Sequence, residues 1–164
     1  MCLKTSLTKT NQDMKTTSSL LNELSITYTK KLFSNTSITN SKAANSLIRE
    51  MYQHTSSEVE LKEYFFIVLL NRANEVIGYH KLSEGGICAT LVDIRIAFAT
   101  ALKSLAVGML LVHNHPSGNL KPSQQDIKLT KDFCKAGDLL EIKILDHLII
   151  SVEGYYSFAD EGQL

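Results

Sequence analysis

Residues 108–126 read GMLLVHNHPSGNLKPSQQD, and the rest of the chain is organised around them. The stretch opens with a short apolar run, Met109 to Val112, which favours a β-strand. It then carries two of the chain's five histidines and both of its prolines. A periodic apolar pattern from Gln124 to Ala136 follows and is typical of a helix. The stretch therefore predicts a strand, a rigid polar loop and a helix in succession.

The strand end and the helix start both offer metal-ligating side chains. His113 and His115 are two residues apart, so in an extended backbone both imidazoles point to one face. Ser123 is a good N-cap, and Asp126 lies three residues later at the helix start. Two imidazoles and a carboxylate are a plausible ligand set for zinc, since a catalytic zinc site has three protein ligands and a fourth position open to water.

Each half of this pattern also has a purely structural interpretation. S-x-x-D before an apolar run resembles a capping box, so Ser123 and Asp126 could do no more than cap a helix. An isolated H-x-H is only a weak indication of a metal. A short loop pinned by Pro116 and Pro122 joins the two halves, which favours the metal site. On residue chemistry alone both interpretations stay open.

The spacing of these residues resembles a known signature. H-x-H, seven residues and then S-x-x-D is the pattern of the JAMM metalloprotease motif of the JAB/MPN fold. The form H-N-H-P-S-G, with D-I-x-L-T after it, is similar to the RadC family in particular. The resemblance covers about residue 40 to the C-terminus, and more loosely begins at residue 24. Outside the motif it rests on three segments: EYFFIVLLNR (63–72), LDHLII (145–150) and GYYSFADEG (154–162).

The resemblance implies a zinc-dependent hydrolase that cleaves amide bonds, of the peptidase or isopeptidase type. Its zinc ligands would be His113, His115 and Asp126, and the side chain of Ser123 would stabilise the oxyanion. Such a donor contributes about 10²–10³-fold in rate. The family's catalytic glutamate opens a strand near the metal loop, which selects Glu63 as the general base. The residues alone leave five candidates open: Glu58, Glu60, Glu63, Glu75 and Glu84.

Asp146 and His147 stand at the start of an apolar run, DHLII. They could form an outer pair that orients the metal ligands, because ligating histidines are commonly held by carboxylates. They could equally be a structural hydrogen-bonded pair at a strand end, and we favour this second interpretation.

The remaining pattern predicts an α/β domain with a mixed β-sheet sandwiched by helices, because helices and hairpins alternate along the chain. The resemblance implies the same architecture, a cytidine-deaminase-like JAB/MPN domain. We expect a flexible polar tail over residues 1–20 and this domain over residues 21–164. We also expect the helix from Gln124 to end at Gly137, as a C′ glycine. The predicted strands are 24–30, 64–70, 75–82, 109–112, 142–145, 148–152 and 155–158, and the other helices are 41–54 and 93–105.

Composition narrows the function further. Acidic and basic residues balance at 17 each, so the chain has no overall electrostatic footprint for nucleic acid. Its three cysteines have no paired spacing and predict free thiols in a reducing compartment. No apolar run reaches the ~20 residues of a membrane span, so a cytoplasmic protein is the default expectation. Longer RadC-like chains carry a DNA-binding helix-hairpin-helix module, which we do not expect here.

Three hypotheses of function remain. The first is the zinc hydrolase, acting on an unknown protein or peptide substrate. The second is a nucleic-acid-binding or nuclease factor in DNA repair, which the RadC name suggests more than the residues do. The third is a non-catalytic MPN scaffold that binds a partner. Relatives show V-D-P-R where this chain has V-D-I-R, with Ile94 at the helix start, and no proposed site residue is missing.

Overall fold

A computed structural model describes residues 37–55, 60–85 and 91–164. The predicted polar tail and the strand predicted at 24–30 lie outside these residues. Within them, no helix combines the length and the apolar character that crossing a membrane requires. The elements are α1 (Ser41–Thr55), β1 (Tyr64–Leu70), β2 (Val76–Glu84), α2 (Ile94–Lys103), β3 (Gly108–Asn114), α3 (Gln124–Leu140), β4 (Lys143–Ile150) and β5 (Tyr155–Ser157).

The strands form one five-stranded sheet in the order β2-β1-β3-β4-β5. Neighbours are antiparallel except for β3 and β4, which are parallel and joined through α3. A parallel pair needs such a crossover, whereas antiparallel strands can be joined by a short turn. β1 and β3 are buried throughout, as expected of central strands with continuous apolar sequences. The predicted mixed sheet is therefore confirmed.

Helices cover both faces of the sheet, and successive side chains of each strand point to the two faces in turn. The even-numbered residues of β1, from Tyr64 to Leu70, pack with α1 on one face. The odd-numbered residues, from Phe65 to Leu69, pack with α2 and α3 on the other. In β3, Met109 and Leu111 belong to this second face. Because strand side chains alternate, the next residue on the same face is His113.

The expectation that Gly137 ends α3 is wrong. The helix continues to Leu140, and Glu141 takes the left-handed conformation, with φ of 55°, as its C-cap. Gly137 is buried inside the helix, and its carbonyl accepts the backbone N–H of Ile142 at 2.9 Å. A Cβ at this position would run into the backbone oxygen of Ile142. Because glycine has no side chain, the chain that follows the helix can approach the helix closely at this position.

The two strands predicted at 142–145 and 148–152 are one strand, β4. Met109 is opposite Ile144 and Leu110 is opposite Asp146, so Leu145 is an extra residue that forms a bulge. Asp146 and His147 are both buried within β4. These two polar residues, which lie between the two predicted strands, are satisfied by partners inside the protein.

Candidate metal centre

Three side chains converge where β3 ends and α3 begins. The Nε2 atoms of His113 and His115 lie 2.9 Å apart. One carboxylate oxygen of Asp126 lies 3.3 Å from Nε2 of His113, and the other lies 3.7 Å from Nε2 of His115. These ligand atoms all fall within 4.8 Å of one another, close enough to share a metal ion. His113 is buried, while His115 and Asp126 are only partly covered.

The second ring nitrogen of His115 determines which tautomer it adopts. Its Nδ1 lies 2.5 Å from the backbone carbonyl oxygen of Asn119. A carbonyl oxygen only accepts hydrogen bonds, so Nδ1 carries the proton. In the neutral ring the lone pair is then on Nε2, the atom directed at Asp126. This is the form in which histidine binds a metal.

His113 is oriented by a longer chain of hydrogen bonds. The hydroxyl of Thr130 donates to the backbone carbonyl of Asp126 at 2.7 Å, and it therefore accepts from Nδ1 of His147, also at 2.7 Å. Nε2 of a neutral His147 then accepts from Nδ1 of His113 at 2.9 Å. His113 is left with its lone pair on Nε2. Two nitrogen lone pairs and a carboxylate facing one point fit a zinc ion.

The parallel pairing of β3 and β4 places His147 behind His113. Leu111 is opposite His147 in the register, and His113 lies one side-chain repeat further along the same face. His147 is fully buried, and burial together with the neighbouring His113 lowers its pKa well below 6.5. The ring is therefore neutral near pH 7, as the hydrogen-bond chain requires.

The surroundings of Asp126 keep its carboxyl group ionised, as binding a cation requires. Burial raises the pKa of this carboxyl, but contacts with His113 and His115, which donate to the carboxylate whenever Nε2 carries a proton, outweigh burial and hold the pKa well below its usual range. In return, the hydrogen bond to Asp126 is the main cause of the raised pKa of His115. The carboxylate is thus charged at neutral pH, and a metal ion would compete with a proton for His115.

Ser123 and Asp126 form a complete capping box at the start of α3. The Ser123 hydroxyl accepts the backbone N–H of Asp126 at 3.1 Å, and the Asp126 carboxylate accepts the backbone N–H of Ser123 at 2.7 Å. The structural interpretation of S-x-x-D therefore holds, and the same box aims the carboxylate at the histidines.

Glu63 and Ser123 share a cavity with two of the three converging side chains, His115 and Asp126. The cavity has a volume of about 510 Å³, and Glu63, His115, Ser123 and Asp126 are among the residues that line it. The β1–β3 ladder ends at the antiparallel pair Phe65 and His113, and Glu63 and His115 each lie two residues beyond this pair. The apolar residues that line the cavity include Phe65, Leu91, Val92 and Leu129.

The other candidate glutamates lie elsewhere. Glu75 accepts the side-chain amide of Asn71 in the turn between β1 and β2, and Glu84 pairs with two lysines at the edge of the sheet. Glu60 lines a different cavity, of about 300 Å³, which His115 also lines but Asp126 does not. Glu58 lies outside the described residues. Among those the structure describes, Glu63 is the one candidate that lines the cavity together with Asp126.

Comparison with known proteins identifies the family. The family model described as "RadC-like JAB domain" matches residues 38–163. The chain belongs to the RadC-like JAB domain family. Similar curated relatives, each called a UPF0758 protein, occur in Flavobacterium johnsoniae (52% identity over 100 residues, 61% of this chain and 44% of the relative) and Porphyromonas gingivalis (45% over 104 residues, 63% and 46%). A further one from Geotalea uraniireducens is 38% identical over 117 residues, 70% and 51% of the two chains. The chain spans about half the length of these relatives.

Asp146 and His147 do not pair through their side chains in this JAB domain. Neighbouring residues of a strand point to opposite faces, and Asp146 instead accepts the backbone N–H of His147 at 2.7 Å. It also accepts the Ser157 hydroxyl at 2.6 Å and the backbone N–H of Ala159 at 3.0 Å. Asp146 thus ties β4 to β5 and the turn that follows, and only His147 contacts a proposed ligand.

Sequence reasoning missed Thr130 and Asn119. Thr130 lies four residues after Asp126, so both project from one side of α3, and this i, i+4 spacing was a usable signal. Asn119 acts through its backbone carbonyl, which carries no signal in the residue type.

Proposed function

We propose that this RadC-like JAB domain is a zinc-dependent hydrolase that cleaves an amide bond in a protein or peptide. The observation that carries the proposal is the meeting of two histidine nitrogens and a carboxylate beside a cavity that is also lined by a glutamate and a serine. Family membership supports the reaction class. That the substrate is a protein or a peptide is part of this proposal. Any partner of the longer relatives is likewise a proposal for this chain.

His113, His115 and Asp126 would hold the ion. When bound, zinc would supply a Lewis acid that polarises the substrate carbonyl and activates a water molecule. The hydrogen bonds behind both imidazoles keep Nε2 free as a donor to the ion. The capping box keeps the carboxylate in place, so the ligands need little reorganisation on binding.

Glu63 and Ser123 would carry out the proton transfer and the charge stabilisation. The Glu63 carboxylate takes a proton from the attacking water and passes it to the leaving amine, a role that requires a group within one hydrogen bond of the water. The Ser123 hydroxyl accepts from Asp126 and can donate its proton to the developing oxyanion. The apolar residues that line the cavity would contact substrate side chains next to the scissile bond.

A substrate screen on zinc-loaded protein tests the proposal. A peptide library is incubated with the protein, and cleavage is read by mass spectrometry. We expect cleavage to fall about 10²–10⁴-fold in Glu63→Gln, the range for loss of a general base, with the zinc content unchanged. Glu75→Gln is the matched control, because Glu75 lies in the β1–β2 turn. Equal cleavage by Glu63→Gln and the wild type would exclude this role.

A further inference from the structure

Asn114, the residue between the two histidines, is completely buried and bridges to the segment that carries Glu63. Its side-chain amide donates to the backbone carbonyl of Lys62 at 2.7 Å. Its side-chain carbonyl accepts the backbone N–H of Tyr64 at 2.8 Å. The hydroxyl of Tyr52, from α1, donates to the same carbonyl at 3.3 Å. One side chain therefore bonds to the peptide groups before and after Glu63.

This bridge begins where the sheet ends. The β1–β3 ladder stops at Phe65 and His113, and Tyr64 then bonds to the side chain of Asn114. The carbonyl of Glu63 itself accepts the backbone N–H of Gly85 at 2.8 Å. The backbone around Glu63 is thus fixed from both neighbouring strands, and the contact on the β3 side runs through Asn114.

We propose that Asn114 is a positioning residue that couples the metal loop to Glu63. The inference rests on the proposed role of Glu63 as the general base. Because Asn114 is joined covalently to His113 and His115, the base and the metal ligands share one rigid unit. A displacement of about 1 Å between reacting groups can cost on the order of 10²-fold in rate, so such a unit is functionally important.

The chemistry of the bridge requires an amide. It must donate to one backbone carbonyl and accept from one backbone N–H at the same time, and the primary amide of asparagine offers both groups at its tip. Ionised aspartate has no donor, and leucine has neither group. Alanine at position 114 would remove both bonds to the Glu63 segment.

Amide hydrogen exchange tests the bridge without any metal. In Asn114→Ala we expect the Tyr64 amide to exchange about three- to tenfold faster relative to the Val68 amide, which corresponds to the loss of one hydrogen bond. Asn71→Ala is the matched control. Asn71 lies just past the other end of β1, and its side chain likewise accepts backbone N–H groups, at 2.8 and 3.0 Å. That variant should leave the Tyr64 amide unchanged.

A double-mutant cycle tests the coupling to Glu63. The probe is acetohydroxamate, whose binding to cobalt(II)-loaded protein is followed by visible absorption. We expect Glu63→Gln to weaken binding about tenfold in the wild type, as for a lost hydrogen bond to a charged group. In the Asn114→Ala background the same change should weaken binding by less than about threefold, because interacting groups are not additive. In the Asn71→Ala background the full effect should remain.

Asn114→Ser keeps a polar group and provides a second variant if alanine prevents folding. Its hydroxyl is too short to reach both peptide groups, so the same loss of coupling is expected. An unchanged Tyr64 amide, or independent effects of the Glu63 and Asn114 substitutions, would overturn the inference while leaving the hydrolase proposal intact. If Glu63→Gln has no effect on probe binding in the wild type, the coupling inference fails, and the cleavage assay with Glu63→Gln decides the hydrolase proposal separately.

Discussion

The two proposed histidine ligands are oriented from behind by groups that do not themselves reach the metal position. A backbone carbonyl holds His115, and the side chains of His147 and Thr130 hold His113. Each arrangement leaves Nε2 free. Such outer groups fix the tautomer of a ligand and commonly change metal affinity when they are removed.

Removing the Thr130 hydroxyl should therefore weaken zinc binding. In Thr130→Val, Nδ1 of buried His147 loses its acceptor, and we expect zinc affinity to fall about 10–100-fold. Competition with a chromophoric chelator measures the change. Thr100→Val is the control, because Thr100 makes the same bond to the carbonyl four residues earlier, at 2.8 Å, but lies on α2. Equal affinities in the two variants would show that the bond to His147 has no such role.

Zinc affinity should also depend on pH through His115. The pKa of its imidazole is raised above 6.5, mainly by the hydrogen bond to Asp126, so the metal-free ring gains a proton as the pH falls through this raised value. Zinc must displace that proton, and apparent affinity should fall about tenfold per pH unit below the pKa. Affinities measured between about pH 5 and pH 8 test this. An affinity that stays constant across the range would show that zinc does not displace this proton from His115.

At the scale of elements, the start of α3 combines a structural and a functional arrangement. The capping box at the start of the helix also orients Asp126 toward the histidines. The helix-cap and metal-ligand interpretations of S-x-x-D therefore describe one structure. This part of the site was predictable because every contact in it is local. The bulge in β4 was not predictable, because the partners that satisfy Asp146 come from β5 and the turn after it.

The end of α3 offers a stability test. A glycine inside a helix usually costs about 0.5–1 kcal/mol relative to alanine, so Gly→Ala would normally stabilise. At Gly137 the new Cβ would meet the Ile142 backbone, and we expect destabilisation of about 1–3 kcal/mol, the range for overpacking. Urea unfolding measures it. Gly78→Ala in β2 is the control, since a Cβ there meets no heavy atom within 4 Å. Stabilisation in Gly137→Ala would show that the chain relaxes around the methyl group.

At the scale of the whole molecule, the sheet assembles the site from distant parts of the chain. Glu63 directly precedes β1, His113 lies in β3 and His115 just after it, and β4 supplies the buried His147. The histidines and Asp126 could be read from the sequence because a single loop joins them. Glu63 could be chosen only through the family resemblance, because the pairing of β1 with β3 is non-local. The contact of Asn114 with the Glu63 segment depends on the same pairing, and no spacing in the sequence indicates it.

The proposed hydrolase activity depends on metal binding at His113, His115 and Asp126. The most direct test is elemental analysis of tag-free protein, with the wild type measured beside the His113→Ala/His115→Ala double variant. We predict about one zinc per chain in the wild type and none in the double variant, as a site with three protein ligands requires. A wild-type protein that holds no metal even after zinc is supplied would contradict the proposed zinc site. Ser123 and Asp126 would then serve only as a helix cap.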